Sequence, residues 1–535
     1  MPTPNIVIVM TDQQRADFTS AAGFPLDTMP FLDSLGACGA RFERAYTPMP
    51  ICAPARTSMF TGRFPKAHRV RQNSAIKHAL YERDLVDLLR EAGYAVGLSG
   101  KNHSHLKPAE LDFAVTYMHG GRTKEVDAPE LSAEEAAFDD WLNELGRDRG
   151  SFSREPTPFP VECQLPYRIV RDALGWIDTL VVGPPESDPN TRTGAPVPAT
   201  ADARAAQQEE QRERTVGQSQ PFFLWLSFPE PHNPYQVPEP YFSLFPEDQV
   251  PERIAGPEAL ERKTGPLGEK WRWERAMIES AYPGYDDHWR RYRANYCGMM
   301  RLVDDQLRRF VSQLEARGLW ENTILLFTAD HGDYAGDYGL QRKGVGLPEC
   351  LARIPFIICG PRIETQPANH DDHVSLVDVL PTLCEAVGLE TPYGVQGRSL
   401  WPLLTGGEYP AAEFRSGYVE LGYGGLHYGE DERPELHFTY GGQRYDELNT
   451  VTQSGTVKMV RMGRWKLTYD MLGNGELYDV ESDPAELTNL FEDPAHRDVR
   501  QQLVEELLRW SIRTDDDLPL ANYVPKRAER GWYAR

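Results

Sequence analysis

Short apolar segments without alternation of polar and apolar residues are the feature that most constrains the fold of this chain. They are separated by stretches with the spacing of amphipathic helices, such as YERDLVDLLREAG at 81–93. Strands that are apolar on both faces are typical of a parallel sheet covered by helices on both sides. The pattern predicts an α/β fold with a large, mostly parallel sheet flanked by helices. The predicted core strands are NIVIVM at 5–10, YAVGLSG at 94–100, PFFLWLSF at 221–228, TILLFT at 323–328 and IPFIIC at 354–359.

The C-terminal part of the chain differs, because polar and apolar residues alternate there. This period of two occurs in TVKMVRMGRWKLTYD at 456–470 and GELYDVES at 475–482, and it predicts antiparallel strands. The segment RDVRQQLVEELLRWSIR at 497–513 then has helical spacing. We therefore predict a first domain at 1–405 and a smaller C-terminal α+β domain at 406–535, with an antiparallel sheet, a helix and a tail.

Two long stretches lack either regular pattern. Residues from about 107 to 220 are rich in proline, glycine and charge, and VGPPESDPNTRTGAPVPATADARAAQQEEQRER within them is close to low complexity. We interpret this stretch as a surface insertion, either a lid or a partly disordered segment. Residues 233–290 form a second irregular insertion that contains several Trp and Tyr residues.

Composition argues against several classes of partner. The formal net charge of −23 disfavours nucleic acid, because phosphate backbones require a basic surface. The seven cysteines are odd in number and scattered, so neither a disulfide framework nor a structural zinc site is predicted. No segment has the pattern of a membrane span or a secretory leader. We therefore expect a cytoplasmic chain without a membrane partner.

Chemically active side chains follow the predicted strands at the points where these strands end. Asp12, Lys101, His232 and the pair Asp330-His331 each lie directly after such a strand or within a few residues of it. Because ligands bind at the carboxyl ends of strands in open α/β sheets, we expect these side chains to meet at one edge. Taken singly, each of them is more often a cap or a turn residue.

Four side chains at these strand ends form a candidate metal site. Asp12 and Gln13 follow the first strand, and Asp330 and His331 follow the strand TILLFT. Two carboxylates, an imidazole and an amide oxygen suit Ca²⁺, Mg²⁺ or Mn²⁺ and are poor ligands for a soft metal. Each aspartate alone is explained as a cap of the following turn, but four such groups at neighbouring strand ends favour a metal.

A second group of candidate residues is basic. It comprises Lys101 and His103 in GKNHSH, His232 in PEPHNPY and Lys343 in QRKG. Lysines and histidines are commonly plain surface residues. These four lie in Gly- and Pro-rich loops at the same predicted edge, and such an array stabilises a tetrahedral oxyanion and its leaving group. The array would also supply the local positive charge that an acidic protein needs to bind an anion.

The sharpest local motif is CAPAR, from Cys52 to Arg56, which is followed by TSMFTGRFP. Pro54 suits the first turn of a helix, and this would place Cys52 at a helix N-terminus. The helix dipole favours an anionic nucleophile or an anionic substrate at that position. A small buried cysteine is the alternative interpretation.

Together these motifs resemble the formylglycine-dependent sulfatase family of the alkaline-phosphatase-like superfamily, near the arylsulfatases, choline sulfatases and phosphonate monoester hydrolases. The resemblance covers nearly the whole chain, and its motifs are very specific in order and spacing. It implies an alkaline-phosphatase-like fold and arylsulfatase-like hydrolysis of small-molecule sulfate monoesters. The motifs that carry it are NIVIVMTDQQRAD, ICAPARTSMFTGRFP, GLSGKNH, EPHNPY, LLFTADHGDYAGDYGLQRKG, VSLVDVLPTLCEAVG, GRSLWPLL and GRWKLTYD…GELYDVESDPAELTNL.

The resemblance implies a modified residue and a metal ion. A separate maturation enzyme would oxidise Cys52 to formylglycine (3-oxoalanine), an aldehyde that hydrates to a geminal diol. In that family a metal lowers the pKa of one diol hydroxyl, which attacks sulfur and forms a covalent sulfo-enzyme intermediate. The implied ion is Ca²⁺, with Mn²⁺ as the alternative. Its ligands would be the modified Cys52 together with Asp12, Gln13, Asp330 and His331.

The same resemblance assigns roles to the other site residues. His232 or Lys343 would protonate or stabilise the leaving alcohol. His103 would remove the proton from the second hydroxyl, so that C–O cleavage releases sulfate and restores the aldehyde. Arg56 would orient the diol, and Lys101 would bridge the diol and the substrate oxygens.

The choice of substrate rests on departures from common sulfatase motifs. The pairs Asp12-Gln13 and Asp330-His331 stand where Asp-Asp and Asp-Asn are frequent, and Asn73 lies where related enzymes have a substrate-contacting Asn. The Asp-His pair is shared with phosphonate monoester hydrolases, whereas the Lys and His of GKNH are sulfatase-like. We predict sulfate monoesters, with phosphonate monoesters or phosphodiesters as the alternative, alone or alongside sulfate. A catalytically inactive scaffold is disfavoured because no site residue is missing.

Three further sequence features each allow two interpretations. The aromatic residues of the second insertion either line the leaving-group pocket or pack beneath a loop. His370 and His373 in NHDDHVS could reach the site, but we expect ordinary loop residues. The tail RGWYAR is either an exchanged arm of a homo-oligomer or a disordered end. The aromatic residues in question are Trp271, Trp273, Tyr282 and Trp289.

Overall fold

The computed structural model describes residues 3–123, 130–147, 151–182, 220–364, 372–429, 432 and 450–515. The strands of this part of the chain are β1 (Asn5–Asp12), β2 (Ala40–Arg41), β3 (Ala45–Tyr46), β4 (Ala95–Gly100), β5 (Phe113–Met118), β6 (Gly121–Arg122), β7 (Phe222–Pro231), β8 (Thr323–Ala329), β9 (Phe356–Cys359), β10 (Val374–Ser375), β11 (Gly417–Gly424), β12 (Gly455–Met462), β13 (Trp465–Asp470) and β14 (Gly475–Asp479). The helices are α1 (Pro30–Cys38), α2 (Cys52–Thr61), α3 (Pro65–His68), α4 (Leu85–Glu91), α5 (Ala133–Arg147), α6 (Leu165–Val182), α7 (Tyr241–Leu244), α8 (Gly265–Ala281), α9 (Trp289–Ala316), α10 (Glu349–Ala352), α11 (Val379–Val387), α12 (Trp401–Leu404), α13 (Thr450–Gln453) and α14 (Arg497–Arg513).

The main sheet has eight strands in the order β2-β9-β8-β1-β7-β4-β5-β6. The central strands β8, β1, β7, β4 and β5 run parallel to one another. Strands β9, β2 and β6 are antiparallel to their neighbours and close the two edges. The predicted large, mostly parallel sheet is therefore confirmed, and the segment IPFIIC supplies one of its antiparallel strands.

Both faces of the central strands are buried, as their apolar sequences predict. All eight residues of β1 are buried, and successive side chains of a strand point to opposite faces of the sheet. Val7 and Val9 pack into a core with α6 and α9. Ile6 and Ile8 pack into a second core with α2, α4 and α11. The sheet thus lies between two helical layers, and only its ends are free to carry polar groups.

The stretch 107–220 differs from the predicted surface insertion wherever it is described. Its residues form β5, which pairs with β4 in the main sheet, and α6, which packs on β7. The strand β5, FAVTYM, has three of its six residues only partly buried. Its apolar run lies in a stretch whose overall content of proline, glycine and charge suggested an insertion instead. The low-complexity segment lies within 183–219, outside the described residues.

The C-terminal part contains the predicted antiparallel sheet, in the order β11-β12-β13-β14. Helix α14 packs on β12 and β13, where Trp510 joins the apolar side chains of Val460 and Leu467. The sheet also meets the segment before α2, since the Glu420 N–H donates to the carbonyl of Pro48. The predicted tail falls outside the described residues. None of the described helices is long and apolar enough to cross a membrane.

Candidate active site

Two aspartates meet at the carboxyl ends of neighbouring strands. Strands β1 and β8 pair in parallel with Thr11 opposite Ala329, so Asp12 and Asp330 are the next residues on the two strands. The Gln13 N–H donates to Asp330 Oδ1 at 3.0 Å. Both carboxylates are completely buried. The fold therefore creates a pair of buried negative charges, which require compensation because their desolvation is costly.

Cys52 begins helix α2 beside these carboxylates, as its motif predicts. Its Sγ lies 3.2 Å from His331 Nε2 and 3.6 Å from Asp12 Oδ1. Asn73 Oδ1 accepts a hydrogen bond from the Ala53 N–H at 3.1 Å and so satisfies one of the unpaired donors of the helix N-terminus. Asn73 thus helps to hold the start of α2, and its contact with substrate stays a prediction.

Arg56 lies one turn after Cys52 and connects the two carboxylates. Its Nε donates to Asp330 Oδ2 at 2.9 Å, and one terminal nitrogen donates to Asp12 Oδ2 at 3.1 Å. The other terminal nitrogen donates to the Lys101 carbonyl and to Ser227 Oγ, each at 2.9 Å. The guanidinium is fully buried, so its fixed position depends on these partners.

The donor set fits a hard divalent metal ion. One ligand atom from each of Asp12, Cys52, Asp330 and His331 lies within 4.8 Å of the others, and all four residues are buried. Carboxylates are ligands of Ca²⁺ and Mn²⁺, the imidazole is a nitrogen donor of intermediate softness, and the Cys52 thiol is the one soft donor of the set. Four of the five predicted ligands are therefore together at one point.

The fifth predicted ligand, Gln13, has its amide fixed by a buried network. Its Nε2 donates to Asp333 Oδ2 at 2.7 Å and to the Tyr235 hydroxyl at 3.1 Å. Asp333 also accepts from the hydroxyls of Tyr235 and Tyr292, at 2.7 and 2.9 Å. Because both amide hydrogens have acceptors, Oε1 is left to face the site, where Lys343 Nζ lies 3.1 Å away.

Asp333 was not among the predicted site residues, although it follows His331 by two positions. We expect Asp333→Asn to weaken Ca²⁺ or Mn²⁺ binding by about ten- to a hundredfold, because outer-shell partners orient metal ligands. The new amide would offer a donor where Gln13 needs an acceptor. Isothermal titration calorimetry measures the affinity. Asp304→Asn is the control, because this buried carboxylate instead accepts from backbone N–H groups of α1. Unchanged affinity in the Asp333 variant would contradict the orienting role.

The predicted basic residues surround the same point. Lys101 Nζ donates to Asp12 and contacts His119 Nε2 at 2.8 Å. Lys343 Nζ lies 3.3 Å from His232 Nε2, and the rings of His119 and His232 stack with centroids 3.7 Å apart. His119 was missed by the sequence interpretation, although it directly follows β5 and so carries the same signal as the other residues at strand ends.

His103 completes the basic group without a direct link to its other members. Its Nδ1 is buried and has no hydrogen-bond partner in the described part of the chain. Its backbone φ is 44°, in the left-handed region. Burial, together with the charges of Lys101 and Arg56, holds the pKa of His103 well below its usual value. The imidazole is therefore neutral and has an unused ring nitrogen.

Burial and the charges of the lysines together shift the pKa values of the site residues. Burial alone would raise the pKa of Asp12, but the charges of Lys101 and Arg56 hold it well below its usual value. Burial and Asp12 oppose ionisation of the Cys52 thiol, yet Lys101, Lys343 and His331 together lower its pKa to about 6. The site thus stabilises negative charge at position 52, as a nucleophile at this position requires.

Comparison with known proteins agrees with this geometry. The family model described as Sulfatase matches residues 4–389. The chain belongs to the sulfatase family. A second model, described as N-sulphoglucosamine sulphohydrolase, C-terminal, matches residues 336–513 of this sulfatase. The predicted family resemblance is therefore confirmed.

Individual relatives of this sulfatase are distant but span nearly its whole length. It is 27% identical to an arylsulfatase of Clostridium perfringens, with 94% of each chain covered. It is 26% identical to a choline-sulfatase of Rhizobium meliloti, with 92% of this chain and 83% of the relative covered. The structure of a phosphonate monoester hydrolase from Silicibacter pomeroyi superposes with a TM-score of 0.69 at 22% identity, covering 96% of each chain, and this likeness supports the fold.

Two further predicted features of the sulfatase chain lie elsewhere. The His373 ring stacks on Tyr46 with centroids 6.2 Å apart, and no contact joins it to the described site residues, while His370 is outside the described residues. Trp271 is buried against Tyr334 and Tyr338. These two tyrosines lie in the segment that leads from β8 to Lys343. This packing favours the second alternative, in which the aromatic residues pack beneath a loop and do not line the leaving-group pocket.

Proposed function

We propose that this sulfatase hydrolyses sulfate monoesters of the arylsulfatase type, with Cys52 as the precursor of its nucleophile. The observation that carries the proposal is that Cys52 lies among two kinds of group that suit a metal-assisted anionic nucleophile. Its sulfur clusters with ligand atoms of Asp12, Asp330 and His331. The charges of Lys101 and Lys343 help to lower the pKa of Cys52. The names of the arylsulfatase and choline-sulfatase relatives support the choice of sulfate.

The proposed cofactor is one divalent metal ion, Ca²⁺ with Mn²⁺ as the alternative. Its ligands would come from Asp12, Gln13, Asp330, His331 and the modified Cys52, because these supply mostly hard donors in a buried position. When bound, the ion would offset the two carboxylates and lower the pKa of a coordinated hydroxyl. Arg56 holds both carboxylates in place for this purpose.

The formylglycine derivative of Cys52, made by a separate maturation enzyme, would carry the sulfo group between the two halves of the reaction. Lys101 would neutralise charge on the sulfo oxygens. Lys343 would hold the proton that the leaving alcohol requires, because His232 is kept neutral by burial and by the nearby charges. The His232 Nε2 faces Lys343 Nζ and orients it. His103, which burial and the nearby positive charges keep neutral, would accept the proton whose removal releases sulfate.

A phosphonate monoester or a phosphodiester is the second candidate substrate, acted on alone or in addition to sulfate. It is favoured by the pairs Asp12-Gln13 and Asp330-His331, which differ from the commoner sulfatase pairs. All of these esters carry a single negative charge, so charge alone does not separate them. The lysine and histidine at positions 101 and 103 favour sulfate. Lys101 contributes an ammonium that already lies against Asp12 at the site.

The proposal is tested by comparing esters that share one leaving group. We expect kcat/KM for 4-nitrophenyl sulfate to exceed that for 4-nitrophenyl phenylphosphonate and bis(4-nitrophenyl) phosphate by at least about tenfold. The protein is produced together with a formylglycine-generating enzyme and loaded with Ca²⁺ or Mn²⁺, and release of 4-nitrophenol is followed. A higher kcat/KM for the phosphonate or the diester would replace sulfate with the second candidate. Hydrolysis of none of the three would reject both.

A further inference from the structure

His119 is part of the site, although neither the motifs nor the proposed mechanism use it. It is the first residue of the two-residue turn that joins β5 to β6, where Met118 pairs with Gly121. Its Nε2 lies 2.8 Å from Lys101 Nζ. Its ring stacks on that of His232 with an interplanar angle of 15°. His119 therefore connects two groups that approach the reaction centre from different loops.

The hydrogen bonds define the tautomer of each histidine in this pair. A lysine ammonium has donors but no acceptor, so His119 Nε2 must carry a lone pair and its proton must be on Nδ1. His232 has the same arrangement, because its Nδ1 lies 2.8 Å from the Asn233 carbonyl and its Nε2 faces Lys343 Nζ. Two neutral imidazoles thus stack face to face, and each accepts a hydrogen bond from one of the two lysines.

Burial and nearby charge keep both rings in this state. The pKa of His119 is held well below its usual value by burial and by Lys101. Burial and the charge of Lys343 do the same for His232. His119 Nδ1 is itself buried, with no hydrogen-bond partner in the described part of the chain. Contact with substrate through Nδ1 is disfavoured by this burial, so the ring acts on its neighbours through Nε2 and its face.

We propose that His119 is a positioning residue that holds the Lys101 ammonium through Nε2 and holds the plane of His232 through its ring. The long side chain of a lysine has many rotamers, and two acceptors, Asp12 and His119, restrict Lys101 to one position. Without His119, the one hydrogen bond that the Lys101 ammonium keeps within the described residues is to Asp12, a carboxylate that is also a candidate metal ligand. The role rests on the proposed function, since both neighbours are assigned to the same reaction.

Two substitutions separate the two contacts of His119. His119→Gln keeps an acceptor at the distance of Nε2 but removes the ring, whereas His119→Phe keeps a stacking ring but removes the acceptor. We expect kcat to fall about ten- to a hundredfold in His119→Phe with KM changed less than about threefold, because a misplaced group impairs the reaction more than substrate binding. We expect a smaller fall in kcat, of about two- to fivefold, in His119→Gln, because this variant loses the stacking on His232 but keeps the acceptor for Lys101.

A purely structural role would give another result, namely equal losses in both variants that follow a fall in melting temperature. Equal losses, or an unchanged kcat in His119→Phe, would overturn the proposal. His373→Phe is the control, because this buried histidine also stacks on an aromatic ring but makes no contact with the described site residues. We expect its kcat to stay within about twofold of the wild type.

A readout that does not depend on turnover keeps this test separate from that of the proposed function. In protein labelled with ¹⁵N-histidine, NMR distinguishes the neutral Nδ1–H tautomer from the Nε2–H and protonated forms. We expect His119, assigned by loss of its signals in His119→Gln, to be the neutral Nδ1–H tautomer at pH 7. Either other form would overturn the contact with Lys101. If the wild type hydrolyses no ester, the proposed function is rejected. The tautomer of His119 would still show whether its Nε2 accepts a hydrogen bond from Lys101.

Discussion

Replacing Cys52 with alanine is expected to lower kcat/KM for 4-nitrophenyl sulfate by about 10⁴-fold or more. The reason is that covalent catalysis divides one difficult displacement into two easier ones, and removal of the nucleophile eliminates both. Alanine is smaller than cysteine and preserves the start of helix α2, whose N-terminal donor at Ala53 is satisfied by Asn73 rather than by Cys52. The loss of activity should therefore occur without loss of the fold.

This prediction has two controls, a substitution at another cysteine and a mass-spectrometric check of the residue at position 52. Cys38→Ala removes an exposed cysteine and should leave kcat/KM unchanged. In the wild type, mass spectrometry of the CAPAR peptide should show a species about 18 Da lighter than the thiol form, as expected for the aldehyde. Activity that persists in Cys52→Ala would show that the reaction does not pass through this residue. Full activity with an unmodified thiol would reject formylglycine but keep the nucleophile at position 52.

The sequence predicted which side chains lie together because their meeting depends on a simple property of the fold. Residues that follow parallel apolar strands meet at one edge, so Asp12, Lys101 and Asp330 could be placed together before any geometry was known. His119 obeys the same rule but was missed, because β5 lies in a stretch whose overall proline, glycine and charge content suggested an insertion. Asp333 was missed because its contacts are with Tyr235 and Tyr292, which are distant in sequence.

The fold was less predictable where strand direction mattered. An apolar run predicts burial on both faces but does not specify whether the strand is parallel to its neighbours. Strand β9 has such a run and is antiparallel to β8. The connection between them runs from residue 330 to residue 355 and is long enough for either direction, so its length does not predict the pairing. In the region before β7, charge and proline content hid α6 and suggested an insertion. The predicted boundary between residues 405 and 406 stays a prediction.

Arg56→Met should reduce the free energy of unfolding by about 3–5 kcal/mol in metal-free protein, because it leaves two buried carboxylates without their shared partner. Arg56 donates to both Asp12 and Asp330, and all three side chains are fully buried. Methionine has a similar volume, so little of the loss comes from packing. Lys101 stays in contact with Asp12 and compensates one of the two carboxylates.

Metal should reverse part of this loss if the carboxylates are its ligands. Removing Arg56 makes the site more negative, so Ca²⁺ or Mn²⁺ should stabilise the variant more than the wild type. We expect saturating metal to narrow the difference in unfolding free energy between them by about 1–2 kcal/mol, which corresponds to tighter binding by the variant. Urea denaturation with chelator and with metal measures this difference.

Arg168→Met is the matched control for the metal effect. Arg168 is also fully buried and pairs with a carboxylate, that of Asp139, at 2.7 Å, but this pair belongs to α5 and α6 and is separate from the candidate metal ligands. We expect its loss of stability to be the same with chelator and with metal. If metal narrowed the difference in unfolding free energy from the wild type equally for both variants, the ion would stabilise the fold without acting specifically at Asp12 and Asp330. If it narrowed the difference for neither, Asp12 and Asp330 would be a structural charge cluster rather than a metal site.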